Sequence, residues 1–109
     1  MADYMTDPKY GTAEQIISLP VPRLVALVSD DGASVYAKAK ACQRLAVIGD
    51  ASAVAAVAKL LDNEQLNVYA RSALEQIPGS AAGEALMASL RRLKARLLVG
   101  VINSLGVRR

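Results

Sequence analysis

Chemistry in this chain would have to come from one thiol, scattered carboxylates, four tyrosines and a run of cations, because its 109 residues include one cysteine and no histidine. Cys42 follows Ala41 and precedes Leu45 in a helical pattern, a setting in which a thiol serves as a small apolar filler. A nucleophilic or redox thiol needs a neighbour that stabilises the thiolate. Lys38, Lys40 and Arg44 are near in sequence, but there is no imidazole to take a proton and no second cysteine for an internal disulfide. The lack of histidine also removes His-assisted hydrolysis and nearly all common zinc and di-iron sites. No catalytic residue, metal or cofactor is therefore expected, and the chain reads as non-enzymatic. The carboxylates of Asp30, Asp31, Asp50, Asp62 and Glu64 fall at helix ends or turns, where an anion accepts free backbone amides and complements the helix dipole. Asp30-Asp31-Gly32 lacks the alternating ligands and terminal Glu of a calcium loop. Gly79 and Gly83 are not followed by the Gly-Lys-Ser/Thr of a phosphate loop. Tyr36 and Tyr69 occupy matching places near two helix starts, where a ring packs between helices and leaves its hydroxyl wet; ligand stacking is the alternative.

The cations are unevenly spread. The chain carries a net charge of +3, yet Arg91, Arg92, Lys94, Arg96, Arg108 and Arg109 all lie beyond residue 84, in a stretch without Asp or Glu. Such a basic end attracts phosphate backbones or acidic proteins. It also suits the negative end of a helix at 81–92. No aromatic residue is interleaved with these cations, so stacking on single-stranded nucleic acid is unsupported.

The elements that position these groups are helical. Thr12 and Gln15 form a capping box for a short helix that Pro20 stops. Pro22 suits the first turn of a helix to Ser29, and Ser34 caps a longer one, 35–48. Further helices are predicted over 52–61, from Leu66 to Ile77 with Asp62 and Gln65 as its capping box, over 81–92, and over 94–105 with Gly106 as the residue that ends it. Residues 1–11 read as a flexible leader and 12–109 as one domain. The helices repeat. Leu45, Leu74 and Ile102 are separated by steps of 29 and 28, as are Ile48, Ile77 and Leu105, while Val57 and Leu86, Leu61 and Leu90, and Ala41 and Ala70 are each 29 apart. A period near 30 residues indicates stacked units, each too small to bury its own apolar face. The fold class expected is all-α, a right-handed α-solenoid of stacked antiparallel helix pairs.

These residues resemble HEAT-like repeats of the short bacterial kind, first associated with bilin lyases, within the armadillo-like class. The resemblance rests on residues 21–28 (VPRLVALV), 39–50 (AKACQRLAVIGD), 53–61, 69–77 (YARSALEQI) and 101–107 (VINSLGV), and covers about 20–109. It implies an α-solenoid whose partner-binding surface carries the function. The histidines of metal-carrying relatives are absent here, and no bilin-lyase catalytic motif is matched.

In such a fold one helix of each pair, here 23–29, 52–61 and 81–92, lines the inner surface, exposing Ala55, Ala56, Lys59, Ala85, Ala88 and Arg92. The function expected is that of a non-catalytic scaffold binding a protein partner. The alternatives are nucleic-acid or acidic-partner binding through Arg91, Arg92, Lys94 and Arg96, and an accessory subunit or fragment of an enzyme with catalysis elsewhere. The last helix is unusual, since no charge lies between Arg96 and Asn103 and Leu97, Leu98, Val99, Val101, Ile102 and Leu105 cover more than one stripe. Left bare, this apolar helix, with Leu98, Val99 and Val101 as its partner-binding candidates, predicts self-association through residues 97–107 or a chain that is a fragment of a longer solenoid. The apolar run at 97–102 falls far short of the roughly 20 residues that span a membrane. With an acidic rather than signal-like start, the chain as written is expected to be cytoplasmic and not membrane-bound.

Overall fold

The computed structural model describes residues 6–108 and is predominantly helical. A two-residue antiparallel pair, β1 (Thr6–Asp7) with β2 (Gly11–Thr12), leads into α1 (Ala13–Ile17), α2 (Val21–Val28) and α3 (Val35–Ile48). Then come α4 (Val54–Ala58), α5 (Asn67–Gln76), α6 (Ser80–Ser89) and α7 (Ala95–Arg108). Three of the expected helix-start signals are present. Thr12 and Gln15 exchange the two hydrogen bonds of a capping box, Pro22 sits in the first turn of α2, and the Ser34 hydroxyl accepts Ala37 N–H at 3.0 Å. The Thr12 and Ser34 hydroxyls satisfy backbone amides that the first helical turn leaves without partners, and Pro22 has no amide proton to satisfy.

Three local expectations are corrected. The helix expected over 52–61 is a short α4 between 3-10 turns at Ala51–Ala53 and Lys59–Asp62. Asn63, not Asp62, provides the side-chain cap before α5, its Oδ1 accepting Gln65 N–H and Leu66 N–H at 2.8 and 3.0 Å. Gly106 does not end the last helix, which runs on to Arg108 because that side chain reaches back to α5 and holds the final turn.

The N-terminal segment is also not loose from Thr6 onward; residues 1–5 of the expected leader lie outside the described residues. Asp7 is buried, and its carboxylate accepts Lys9 N–H at 2.7 Å, Tyr10 N–H at 3.0 Å and, across 27 residues, Ser34 N–H at 2.7 Å. Burial alone would raise its pKa. The bonds from Ser34, Lys9 and Tyr10 outweigh that and bring it down to about 2. Lys9 Nζ and the Tyr10 hydroxyl both donate to Asp30, at 2.8 and 2.6 Å, tying the hairpin to the α2–α3 turn. These bonds, led by the one from Lys9, hold the Asp30 carboxyl well below its usual range.

The helices pack in two rows. α3, α5 and α7 touch in succession, α2, α4 and α6 touch in succession beside them, and the pairs α2–α3, α4–α5 and α6–α7 close the space between. α1 lies on α3. The core is aliphatic, with Leu24, Leu27, Ala41, Leu45, Val57, Leu61, Ala70, Leu74, Ile77 and Leu86 buried. The spacing of 29 is therefore mirrored in burial for Ala41 with Ala70, Leu45 with Leu74, and Val57 with Leu86.

In α7 the register is one residue off. Ile102, expected inside, is 52% exposed, whereas Val101 is fully buried. One residue turns a helix by about 100°, enough to exchange inward for outward. The cause lies in how α7 meets α5. Arg71 donates from Nη1 to Gly100 O at 3.1 Å, and Ser104 Oγ donates to Glu75 at 2.7 Å. A Cβ on Gly100 would fall 2.7 Å from the Arg71 guanidinium carbon, so a larger residue there would push the Arg71 side chain aside. Ala95, the first residue of α7, has φ of +52°, a left-handed conformation that turns the chain sharply into this helix.

Candidate functional site

The residues singled out as partner-binding fall into three groups. Lys59 is exposed at the end of α4, as is Ala55 within it; α2, which exposes Arg23 and Ala26, and α6, which exposes Ala88, both pack against α4 in one row of helices. Ala56 and Ala85 are half-buried. Small side chains on this row leave the helix backbones open to close approach.

The basic residues do not form one free patch. Arg92 pairs with Asp62 at 2.9 Å, and Arg96 pairs with Glu64. Both cations therefore face carboxylates that the sequence had suggested as helix caps. The Arg108 guanidinium donates to Leu74 O at 2.8 Å, to Ile77 O at 2.6 Å and to Gly79 O. It thereby closes the C-terminal end of α5, where carbonyls lack helical partners. Gly79, at φ +94°, makes the turn that presents its carbonyl there. Arg91 and Lys94 are exposed and have no hydrogen-bond or ion-pair partner among the described residues; Arg109 lies outside them.

A polar cleft of about 260 Å3 lies between the start of α5 and the start of α7, lined by Glu64, Asn67, Val68, Arg71, Arg96 and Leu97. Its arginines are held by the protein itself. Arg71 Nε donates to Asn67 at 2.7 Å, and the buried Asn67 amide donates in turn to Leu61 O at 2.6 Å.

The third group is apolar and belongs to α7. Val99 is 58% exposed, whereas Leu98, expected bare, is half-buried against the core. Val101 is not part of it. It points into the core, so Val101→Lys would unfold the protein rather than report on an interface. Two further apolar residues that the sequence did not mark are exposed: Ile102 of α7, expected inside, and Met87 of α6, which is 57% exposed. Only the register shift of α7 distinguishes Ile102 from a core position, and nothing local in the sequence marks it.

Cys42 is buried without contact to solvent, and burial pushes its thiol up to about 12 despite the opposing influence of Lys38. Tyr36 and Tyr69 are half-buried against the core, with Lys40 Nζ 5.9 Å from the Tyr36 ring centre. Among the described residues, no three of Cys, Asp and Glu converge in a way that could hold a metal ion, and no helix is long and apolar enough to cross a membrane. No family model, curated protein or solved structure matches the chain significantly.

Proposed function

We propose that this chain is a non-catalytic protein-binding module, built as a right-handed HEAT-like α-solenoid of three helix pairs, α2–α3, α4–α5 and α6–α7. The observation that supports it is the double row of helices, with α3, α5 and α7 in contact along one side and α2, α4 and α6 along the other. An arrangement of that kind offers a continuous surface to a partner rather than an enclosed pocket. The row of Arg23, Ala26, Ala55, Lys59 and Ala88 is the binding face: small residues admit a partner's backbone and the cations at its margin favour an acidic one. The alternative of nucleic-acid binding is the weaker reading, because Arg92, Arg96 and Arg108 already have partners within the protein. A tagged chain should retain a partner in stoichiometric amount, and Ala55→Arg or Lys59→Glu should abolish retention with helicity unchanged by circular dichroism. Retention indifferent to both substitutions, or an intrinsic turnover lost on a fold-preserving substitution, overturns the reading.

A further inference from the structure

The two ends of the helical array differ. At the N-terminal end, the β1–β2 hairpin and α1 lie against α3, and Asp7 locks the hairpin to the start of that helix. At the other end α5 packs on one side of the α6–α7 pair, and on the opposite side the two helices leave a groove of about 550 Å3 lined by Ser80, Gly83, Glu84, Met87, Leu105 and Arg108. A second hollow of about 490 Å3, lined by Met87, Ala88, Leu90 and Arg91, adjoins it. Met87 stands between the two, and Ile102, one turn before Leu105, extends the apolar area along α7.

The charges on this edge are self-complementary. Glu84 lies on α6 three residues before Met87, and Arg91 lies four residues after Met87 in the turn that follows the helix, about 10 Å beyond Glu84 along the same direction. Both line the hollows, and neither has a partner among the described residues. An antiparallel copy of α6, centred between residues 87 and 88, brings Glu84 of one chain opposite Arg91 of the other, twice by symmetry. It also sets each Met87 against the small Ala88 of its mate. The same two-fold axis, lying across both helices, sets α7 against α7 near Ile102.

We propose that the α6–α7 edge docks a second copy of this chain about that axis, giving a closed dimer. The proposal rests on the protein-binding reading above and names one partner for it, at an edge that shares Ala88, but neither Ala55 nor Lys59, with the face described there. An isologous contact buries the same patch on both copies and stops there. Head-to-tail stacking would have to displace α1 and the hairpin from α3.

Sedimentation at tens of micromolar tests this with the whole chain. Wild type is expected to be dimeric. Glu84→Arg and Arg91→Glu each create two like-charge contacts and should weaken the dimer at least tenfold, and Met87→Glu should dissociate it. The double exchange Glu84→Arg with Arg91→Glu should restore dimerisation to within about threefold of wild type. These positions are exposed, and unchanged helicity by circular dichroism establishes that each variant is folded. A monomeric wild type overturns the proposal, as does a double exchange that stays dissociated, which would point to another protein or a continuation of the chain as the occupant. Ala55→Arg should leave the dimer intact. A monomer that still binds a partner through Ala55 and Lys59 refutes the dimer alone, and a dimer that binds none refutes only the scaffold face.

Discussion

Replacing Asp7 by asparagine should cost this small protein a substantial part of its stability. The carboxylate is buried, and three backbone amides donate to it, from Lys9, Tyr10 and Ser34. Its pKa falls from 3.8 to about 2 on folding, so the ionised form stabilises the native state by about 2 to 3 kcal/mol. Asparagine keeps one acceptor, removes the charge and turns an NH2 group toward amides that also donate. A domain of this length has a total stability of about 5 to 15 kcal/mol, so the loss should be plain in urea unfolding followed by circular dichroism. The pH dependence carries a sign. A carboxyl whose folded pKa is depressed contributes fully above its unfolded pKa, and the contribution disappears as pH falls toward the folded value. Wild type should therefore lose most of its advantage over Asp7→Asn between pH 4 and pH 2. A variant within about 0.5 kcal/mol of wild type at pH 7 would be ordinary surface behaviour and would refute the account of the hairpin as an anchored cap. A stability gap that does not narrow with acid would refute the electrostatic origin.

Cys42 should resist alkylating reagents at neutral pH for as long as the protein is folded and react at once in denaturant, because burial disfavours its thiolate; rapid labelling of native protein would contradict this. Arg108→Ala should destabilise by about 1 to 3 kcal/mol, since it strips the carbonyls of Leu74, Ile77 and Gly79 of a charged donor. Arg108→Lys should recover only part of that, as an ammonium lacks the planar fork; full recovery would mean that charge alone matters. Arg92→Gln should cost no more than about 1 kcal/mol, its pair with Asp62 being exposed, and a larger loss in thermal unfolding would show that pair to be structural.

What the sequence made legible was local. Thr12 with Gln15, Ser34, Pro22 and the break at Pro78-Gly79 mark helix boundaries through contacts a few residues long, and the structure has them. The anchored hairpin was not legible, because Asp7 finds Ser34 across 27 residues and nothing around Asp7 announces that partner. The capping role of Asp62 failed for a related reason: Asn63 offers its own oxygen to the same turn, while Asp62 and Glu64 face cations 30 and 32 residues further on. The α7 register failed because a repeat in hydrophobicity does not report where a helix has been drawn close by Gly100 and Ser104. That one-residue difference moved the candidate interface from Val101 to Ile102 and Met87.

The polar ties that join one element to another share a length scale. Apart from the short bond of Asn67 to Leu61, the side-chain ties between elements given above link positions 20 to 34 apart, from Tyr10 with Asp30 to Arg108 with Leu74. Each therefore reaches about one helix pair along the chain and no further. Opening α7 breaks the bonds to Arg71, Glu75 and the α5 carbonyls but none held by Asp7 or Asp30. Cooperativity in such a molecule is passed between neighbours like the teeth of a zipper. In a dissociated variant such as Met87→Glu, amide exchange should be slowest in α3 and α5, which are covered on both sides, and should quicken through α6 and α7, so the single chain frays from the edge that a second copy would cover while the middle holds.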